Sequence, residues 1–153
     1  MAELDRADFE ILRLLQEDGL MSNAEIGKLV HLSASTVSRR IDALKEAGYI
    51  KGFRAVLDHQ RLGLSAVIYT QVALRNHGNE DLEEFEGIIT ATMPHIVECM
   101  RACGNWDYLL KFVVRDTGHF GELLGKLTAT PVVKWVRSYP IISSREFCPL
   151  PVG

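Results

Sequence analysis

Residues 33–50 read SASTVSRRIDALKEAGYI, and this stretch decides how the first third of the chain folds. Apolar residues recur in it at the spacing of one helical face, while hydroxyl-bearing and basic residues occupy the opposite face. The apolar set is Val37, Ile41 and Leu44. Ser33 is a favourable N-cap, and Gly48 suits the left-handed residue that often follows a helix. The pattern predicts a helix over about 34–47 that docks on one side and leaves the other side free.

Two more helices are predicted before this one. The first runs from about Arg6 to Glu17 with Asp5 as its cap, and the second begins with a Ser22/Glu25 capping box. Their expected inward residues are Phe9, Leu12 and Leu15 in the first helix and Ile26, Leu29 and Val30 in the second. Only His31 and Leu32 separate the second helix from Ser33. Two helices joined by so tight a turn, backed by a first helix, predict a helix-turn-helix unit, whose last helix can enter the DNA major groove.

The rest of the chain alternates between strand-like and helix-like periods. The predicted order is a strand at 65–74, a helix at 80–92, strands at 95–104 and 107–114, a helix that ends at Thr130 before Pro131, and a strand at 133–143. A tight turn around Gly104-Asn105-Trp106 joins the middle strands. This βαββαβ order is the ferredoxin-like unit. Its helices cover one face of the sheet, so we expect the other face to be apolar and to pack against a second copy.

The fold class is therefore α+β: an N-terminal three-helix winged helix-turn-helix domain followed by a C-terminal ferredoxin-like βαββαβ domain. We expect the helix-turn-helix domain at residues 1–54, an extended hinge strand and polar linker at 55–63, and the effector-binding and oligomerisation domain at 64–153. Neither repeats nor low-complexity segments interrupt this order.

Charge is distributed unevenly along the chain. The net charge of the 153 residues is −3, but residues 33–54 contain five Lys or Arg against two acidic residues. This local excess fits a small basic, nucleic-acid-binding surface on an acidic body. No apolar run approaches the ~20 residues of a membrane span, and the first ten residues are acidic where a signal peptide is basic. We therefore expect a cytoplasmic protein without a membrane partner.

The three cysteines, Cys99, Cys103 and Cys148, are an odd number without a secretory signal, so no disulfide framework is expected. Cys99 and Cys103 are predicted to lie in one strand, roughly 13 Å apart at strand rise, which is too far for a shared metal. Buried free thiols are the expectation, and no metal or cofactor is predicted.

Layout and motifs together resemble the leucine-responsive regulatory protein family, Lrp/AsnC, over nearly the whole chain. LDRADFEILRLLQEDGLMSNAEIGKLVHLSASTVSRRIDALKEAGYIKGF (4–53) is similar to that family's DNA-binding half, and GNWDYLLKFVVRD (104–116) is similar to its effector-domain signature. The resemblance implies a dimeric or octameric transcription factor of bacteria or archaea. Such a protein binds double-stranded upstream DNA and, in many members, an amino acid between dimers.

Carried onto this sequence, the resemblance makes the third helix the recognition helix. Its candidate DNA-binding residues are Ser33, Ser35, Thr36, Ser38, Arg39, Arg40 and Lys45. Arginine can bind guanine O6 and N7 in a bidentate manner, and hydroxyl groups suit bases or phosphates, so Arg39 is the best base contact. Arg40 and Lys45 are expected to contact phosphates. An ordinary solvated helix face would have the same composition.

The segment Gly104–Tyr108 is the candidate effector loop. An α-amino acid needs an acceptor for its ammonium group and donors for its carboxylate, and backbone N–H groups beside Asp107 offer both kinds. The alternative is that Gly104 and Asp107 only shape the turn. The resemblance favours a binding role for the set Gly104, Asn105, Trp106, Asp107, Tyr108 and Ser138. Asn105 stands where related sequences often have an acid, and Trp106 where they often have a smaller aromatic, so the effector's identity stays open.

Two other functions compete with this interpretation. Enzymes of the sirohaem decarboxylase type share the architecture and bind tetrapyrrole, and His95, His119 and Cys148 are the residues that could then ligate iron. No Ser-His-Asp spacing, phosphate-binding loop or dinucleotide fingerprint supports an enzyme. The second alternative is a sensing domain whose helix-turn-helix no longer binds DNA, against which stand Arg39 and Arg40.

Overall fold

The computed structural model describes residues 4–143 and 150–152, which divide into two compact units. The helical unit comprises residues 4–56 with 150–152, and the sheet unit comprises residues 57–143. No helix in the described ranges is both long and apolar enough to cross a lipid bilayer.

Three helices form the helical unit: α1 is Arg6–Glu17, α2 is Asn23–Val30 and α3 is Ala34–Glu46. Reciprocal capping boxes start the first two, since the Asp5 and Ser22 side chains accept from the N–H groups three residues later and the side chains of Asp8 and Glu25 reach back. Their common core consists of Ile11, Leu14, Ile26, Val37, Ile41 and Leu44. The predicted bounds, caps and inward face of α3 are confirmed.

The predicted inward faces of α1 and α2 are partly wrong. In α1, Ile11 and Leu14 are buried, whereas Phe9, Leu12 and Leu15 are only half-buried. The apolar stripe of α1 is broad, so its centre, not its edge, meets the other helices. In α2, Leu29 is 59% exposed.

Gly27 explains the orientation of α2. A Cβ atom built on Gly27 would lie 2.5 Å from the carbonyl oxygen of Leu32, so glycine lets the turn pack directly on the helix. His31 closes α2 with φ of 57°, a left-handed conformation that turns the chain toward Ser33. This close approach at Gly27 fixes which side of α2 is buried.

The sheet unit contains β1 (Ala66–Leu74), α4 (Asn79–Thr92), β2 (Ile96–Arg101), β3 (Tyr108–Val114), α5 (Thr117–Thr128) and β4 (Val133–Pro140). The sheet is antiparallel with the order β2-β3-β1-β4, as the βαββαβ prediction requires. One face of the sheet packs under both helices, and the core between them includes Val72, Leu110 and Phe112 of the sheet and Phe85 and Leu127 of the helices. The predicted inward residues of α4, Leu82, Phe85 and Ile89, are all buried.

Five expectations in and around the sheet unit need correction. The strand β2 ends at Arg101 and not at residue 104, so a six-residue loop, residues 102–107, replaces the predicted tight turn. The helix α5 ends at Thr128 and β4 at Pro140, which has no N–H to extend the ladder. The hinge is not a strand. Within the described part of the chain, residues 51–57 form no backbone hydrogen bond, and residues 58–64 form turns, one of them closed by the Leu64 N–H donating to the His59 carbonyl at 2.9 Å.

The fifth correction concerns the sheet face that the helices leave uncovered, which is mixed and not simply apolar. The Lys111 ammonium lies 5.9 Å from the ring centre of Tyr69 and 3.9 Å from a carboxylate oxygen of Glu98. The Arg137 guanidinium lies 5.9 Å from the Trp135 ring centre. The charged side chains lie along aromatic ones, so this face keeps both polar and apolar contacts available.

Candidate DNA-binding helix and effector loop

The helix α3 presents a polar surface because its apolar face is fully occupied. Val37, Ile41 and Leu44 are at most 7% exposed, which fixes the rotation of the helix about its axis. The exposed predicted residues are Ser33, Ser35, Arg39 and Lys45, while Thr36, Ser38 and Arg40 are half-buried. The structure therefore brings all seven predicted DNA-binding residues onto the sides of one helix or its cap.

The hydroxyl groups at the start of α3 contact one another. The Ser33 hydroxyl oxygen accepts from the Thr36 N–H at 3.2 Å and lies 3.0 Å from the Ser35 hydroxyl and 2.8 Å from that of Thr36. Hydroxyl groups can rotate to serve as donors or acceptors, so this cluster can exchange its internal hydrogen bonds for an external partner. Its position at a helix N-terminus favours an anionic partner such as a phosphate.

The adjacent arginines differ in what they contact. Arg40 Nη1 lies 2.7 Å from an Asp5 carboxylate oxygen and 2.8 Å from one of Asp8. These hydrogen bonds, that to Asp8 above all, raise the pKa of Arg40. The backbone N–H of Asp8, followed by Arg40, lowers the pKa of Asp5. Arg40 thus joins α3 to the capping box of α1, whereas Arg39 has no ion pair among the described residues.

Lys45 is intermediate between these two cases. Its ammonium group lies 3.4 Å from a carboxylate oxygen of Asp42, one turn earlier, and both side chains are exposed. Pairs of this kind contribute little and open easily. Lys45 is therefore available to a phosphate.

In the loop over residues 102–107, the Asp107 carboxylate is engaged by the fold. One oxygen accepts the Leu74 N–H at 2.8 Å, and the other lies 3.0 Å from Nδ1 of His77. The backbone of Asp107 adds two bonds, donating to the Val72 carbonyl at 2.8 Å and accepting from Ala102 at 2.9 Å. Asp107 therefore ties this loop to the end of β1, and only the side facing His77 is open to a ligand's ammonium group.

Tyr108 points in the opposite direction, toward the helices. It is 1% exposed, and its hydroxyl donates to a Glu86 carboxylate oxygen on α4 at 2.7 Å. Burial and then this hydrogen bond raise the pKa of Tyr108 well above its ordinary value, so the hydroxyl stays protonated. Asp107 and Tyr108 are neighbours in the chain, but they serve opposite sides of the sheet unit.

The remaining predicted effector residues are dispersed. Gly104 and Asn105 are exposed and Trp106 is half-buried. Gly104 has φ of 155°, a conformation that side-chain-bearing residues rarely adopt. The Ser138 hydroxyl lies 3.0 Å from that of Thr70 across the β1–β4 pair, and no hydrogen bond within the described ranges joins Ser138 to the loop. Among the predicted set, only the loop residues themselves are brought together.

Sequence reasoning missed a cavity of about 270 Å³ behind the loop. It is lined by Glu86, Ile89, Thr90, Cys99, Arg101 and Tyr108, of which only Tyr108 was predicted as a site residue. Arg101 and Tyr108 are register partners that flank the loop, which is the one signal that could have connected them. The contribution of α4 depends on packing that no local pattern reveals.

The cysteine prediction was wrong where the structure describes it. Cys99 lies in β2 and Cys103 in the loop, and both thiols are exposed, not buried. The strand ends before Cys103, so its side chain is not held against the core. Cys148 lies outside the described residues, and within those residues no group of three or more potential ligands could hold a metal ion.

His95 and His119, the candidates of the tetrapyrrole alternative, do lie together. Their ring centres are 4.5 Å apart in an edge-to-face arrangement, and the Nδ1 atoms of both are buried without a hydrogen-bond partner among the described residues. The edge of one ring packs against the face of the other, which is a favourable arrangement of two aromatic rings.

Comparison with known proteins places this geometry in a family. A winged helix-turn-helix DNA-binding model matches residues 4–51, and a model of the Lrp/AsnC ligand-binding domain matches residues 67–147. The chain is 37% identical to a leucine-responsive regulatory protein of Rhizobium meliloti over 89% of its own length and 87% of the relative's. It is 35% identical to a proline dehydrogenase transcriptional activator of Rhizobium radiobacter, over 93% and 91% of the two chains.

Solved structures agree with these relatives. An AsnC family transcriptional regulator from Agrobacterium tumefaciens superimposes with a TM-score of 0.88 at 30% identity, and 97% of each chain is covered. A transcriptional regulator from Neisseria meningitidis, solved as a complex with L-Met, gives 0.89 at 28% identity with the same coverage. These names are those of transcriptional regulators, and the tetrapyrrole enzyme interpretation is therefore wrong. The chain belongs to the Lrp/AsnC family of DNA-binding transcriptional regulators, and it is a regulator and not an enzyme.

Proposed function

We propose that the protein binds its operator through the outer face of α3 and that a small effector, an amino acid, modulates DNA binding or assembly. The observation that carries the DNA-binding half is the contrast within α3: its apolar face is buried, while Arg39 and the hydroxyl groups at its start have no competing partner elsewhere in the described fold. In this proposal Arg39 reads a base, and Ser33, Ser35, Thr36, Ser38 and Lys45 contact bases or phosphates.

Arg40 has a different role in this proposal from the phosphate contact expected from the sequence. Its guanidinium is already bonded to Asp5 and Asp8, so only its remaining N–H groups can reach a phosphate. We assign it chiefly to holding α3 against α1. A helix that is held firmly keeps its base contacts in register, which supports specific binding.

The effector half of the proposal rests on the loop and on one relative. Asp107 keeps one carboxylate oxygen toward the exposed His77, and Gly104 and Asn105 are exposed. The relative from Neisseria meningitidis was solved with L-Met, which supports an amino acid as the effector class. We place the effector at the loop Gly104–Tyr108, where dimers would meet in an assembly of up to four dimers, and we propose the homodimer as the unit of that assembly.

The proposed mechanism is a shift in assembly. An effector that binds one arrangement of dimers more tightly than another shifts the population toward it, and this changes the spacing of recognition helices along DNA. Thermodynamic linkage then requires DNA to change the effector's affinity by the same factor. The proposal also places the protein in the cytoplasm, where that DNA is accessible.

The first test measures binding to DNA upstream of the protein's own gene against random DNA of equal length, at two salt concentrations. The wild type should prefer the upstream DNA, and one common amino acid should shift that preference. Equal affinity for both DNAs at either salt concentration would refute the proposed function.

A second test separates base contacts from phosphate contacts. Arg39→Ala should weaken binding to upstream DNA by ~1–3 kcal/mol and leave random DNA little affected. Lys45→Ala should weaken binding to both DNAs equally and should make that binding less dependent on salt concentration. Arg13→Ala is the matched control, because Arg13 lies on α1 and is paired with Glu10 at 2.7 Å. Equal losses for both DNAs with Arg39→Ala would contradict the base contact.

A further inference from the structure

The C-terminal segment of the chain contacts the end of the first helix. The Leu150 N–H donates to Oε1 of Gln16 at 2.8 Å, and Nε2 of Gln16 donates to the Leu150 carbonyl at 3.2 Å. One side-chain amide thus pairs with both backbone groups of a single residue, as a neighbouring residue does in an antiparallel ladder. The Leu150 side chain is 76% exposed, so this contact depends on the backbone and not on the side chain.

The sequence around Leu150 suits recognition through the backbone. The segment reads Pro149-Leu150-Pro151, and because proline has no N–H, Leu150 supplies the only amide donor of the three residues. A residue before proline is restricted to extended conformations, so Leu150 loses little freedom when it pairs. Gln16 therefore binds a short segment that is already prepared for pairing.

The hinge is held at the same end of α1. A Cβ atom built on Gly19 would lie 3.1 Å from Cδ1 of Phe53, so the missing side chain lets the Phe53 ring lie against the backbone at this point. Gly19 follows Gln16 by three residues. Residues 16–19 thus hold the start of the hinge through Phe53 and the C-terminal segment through Leu150.

The chain passes between the two units twice. It leaves the helical unit after Val56 and belongs to it again at residues 150–152. Six residues, 144–149, separate Ser143 from Leu150, and a chain of this length spans at most ~25 Å. A C-terminal segment bound at Gln16 therefore limits the movement of α1, in addition to the limit that the hinge imposes. Two exposed hydrogen bonds stabilise such a contact only modestly, so the segment can dissociate and bind again.

We propose that the end of α1 is a docking site for the chain's own C-terminal segment, and that Leu150–Val152 acts there as a reversible strap on the helical unit. Gln16 recognises the strap through its backbone, so residue 150 must supply an N–H and a carbonyl but no particular side chain. While it is docked, the strap restricts the helical unit together with the hinge. Its release removes one of these two restrictions.

The strap is tested on the full chain, without DNA, by cleavage with a protease specific for lysine. The segment 51–57 contains one lysine, Lys51, whereas the other five lysines lie in helices or strands and residues 135–153 contain none. Cleavage after Lys51 requires the hinge to fit an extended protease site, which the docked strap opposes. Leu150→Pro removes the N–H donor and should accelerate this cleavage at least threefold. Leu150→Ala keeps both backbone groups and should match the wild type.

Variants of α1 test the other side of the contact. Gln16→Ala should also accelerate cleavage at least threefold, and Gln16→Glu, which keeps an acceptor for the Leu150 N–H but loses the donor, should be intermediate. Glu17→Ala changes the next residue, which is exposed and has no ion pair among the described residues, and should match the wild type. Thermal melts verify folding. Wild-type cleavage rates in both Leu150→Pro and Gln16→Ala overturn the inference, and so does equal acceleration by Leu150→Ala and Leu150→Pro.

The consequence for DNA rests on the proposed function. A homodimer binds DNA with two helical units, and greater freedom of these units lowers the effective concentration of the second one once the first is bound. Leu150→Pro should therefore bind upstream DNA at least threefold more weakly than Leu150→Ala at the same salt concentration. If the wild type does not prefer upstream DNA, the proposed function fails, while the cleavage rates still decide whether the strap exists. If cleavage is accelerated but both variants bind upstream DNA equally, the strap is confirmed and its effect on DNA is refuted.

Discussion

The outer face of α3 and the loop over residues 102–107 both carry side chains suited to recognition, but the fold uses them differently. On α3, Arg39 and Ser35 project from a helix whose stability comes from the opposite face. In the loop, the Asp107 carboxylate accepts a hydrogen bond from the end of β1, and the hydroxyl of Tyr108, the next residue, donates one to Glu86 on α4. A helix can carry its structural residues on one face and its functional residues on another, whereas a short loop must often use one residue for both purposes. Substitutions of bonded residues such as Asp107 should therefore lower stability, whereas substitutions of unpaired residues on the outer face of α3, such as Arg39, should leave it unchanged.

The largest effect is expected from Asp107→Ala. The change leaves the buried N–H of Leu74 without an acceptor, so the free energy of unfolding should fall by ~1–3 kcal/mol. Urea denaturation measures this change. Asn105→Ala in the same loop is the control and should be nearly neutral, since its side chain is exposed. If Asp107→Ala is as stable as the wild type, the Asp107 side chain is as dispensable for folding as those on the outer face of α3, and the contrast between the two regions is refuted.

Tyr108→Phe should have the next largest effect. It removes one hydrogen bond to an exposed carboxylate and keeps the buried ring, whose centre lies 4.8 Å from that of Phe85, so the expected loss is ~0.5–1.5 kcal/mol. The same denaturation series measures it. Glu86→Gln should cost less, because its amide oxygen can still accept the bond. An unchanged free energy of unfolding in Tyr108→Phe would show that the hydrogen bond to Glu86 is no stronger than the bonds that the hydroxyl makes to water in the unfolded chain.

The two adjacent arginines sharpen the comparison on a single helix. Arg40→Ala removes the contacts to Asp5 and Asp8 and should lower the free energy of unfolding by at most about 1 kcal/mol, since the pairs are partly solvated. Arg39→Ala should leave stability unchanged and lose specific DNA affinity instead. Helical circular dichroism on heating, alongside DNA titration, measures both quantities. Reversed effects of the two substitutions would show that the assignment of the arginines is inverted.

The smallest effect concerns acid pH. Hydrogen bonds from the Ser22 hydroxyl and then from its backbone N–H hold the pKa of Glu25 below its usual value of 4.5. A carboxyl whose pKa is lower in the folded state contributes stability above the unfolded value, and that contribution disappears as pH falls through the folded pKa.

Glu25→Gln should consequently show a smaller drop in melting temperature than the wild type between pH 7 and pH 3. Glu17→Gln, an exposed carboxyl without an ion pair among the described residues, is the control and should follow the wild type. Parallel curves for all three proteins would mean that the capping box of α2 adds nothing to the scaffold of α3.

These differences also explain what the sequence could predict. The bounds and faces of α3 and α4 follow from local spacing, and the order of strands and helices was enough for the sheet topology. The role of Arg40 was not predictable, because its partner Asp8 is 32 residues away. Asp107 similarly depends on Leu74, 33 residues earlier. Local pattern shows which side chains face outward, and only packing shows which of these are already bonded.

Packing that the local pattern does not reveal also decided the structure of the short helix α2 and of the hinge. Leu29 fits the helical period of α2, but close packing at Gly27 turns it to solvent. The apolar hinge residues Val56 and Leu57 look like a strand, yet a strand forms only where another supplies hydrogen bonds. The cavity residues Glu86 and Arg101 come from two elements whose approach no periodicity encodes.

The positions of the two indole rings have a practical consequence. The chain's two tryptophans, Trp106 and Trp135, both lie in the sheet unit, and residues 4–56 contain none. Intrinsic emission excited at long ultraviolet wavelength therefore reports on the sheet unit alone, while DNA engages the helical unit. A change in tryptophan emission on adding operator DNA would therefore show, without a label, that DNA binding by the helical unit alters the surroundings of the tryptophans in the sheet unit.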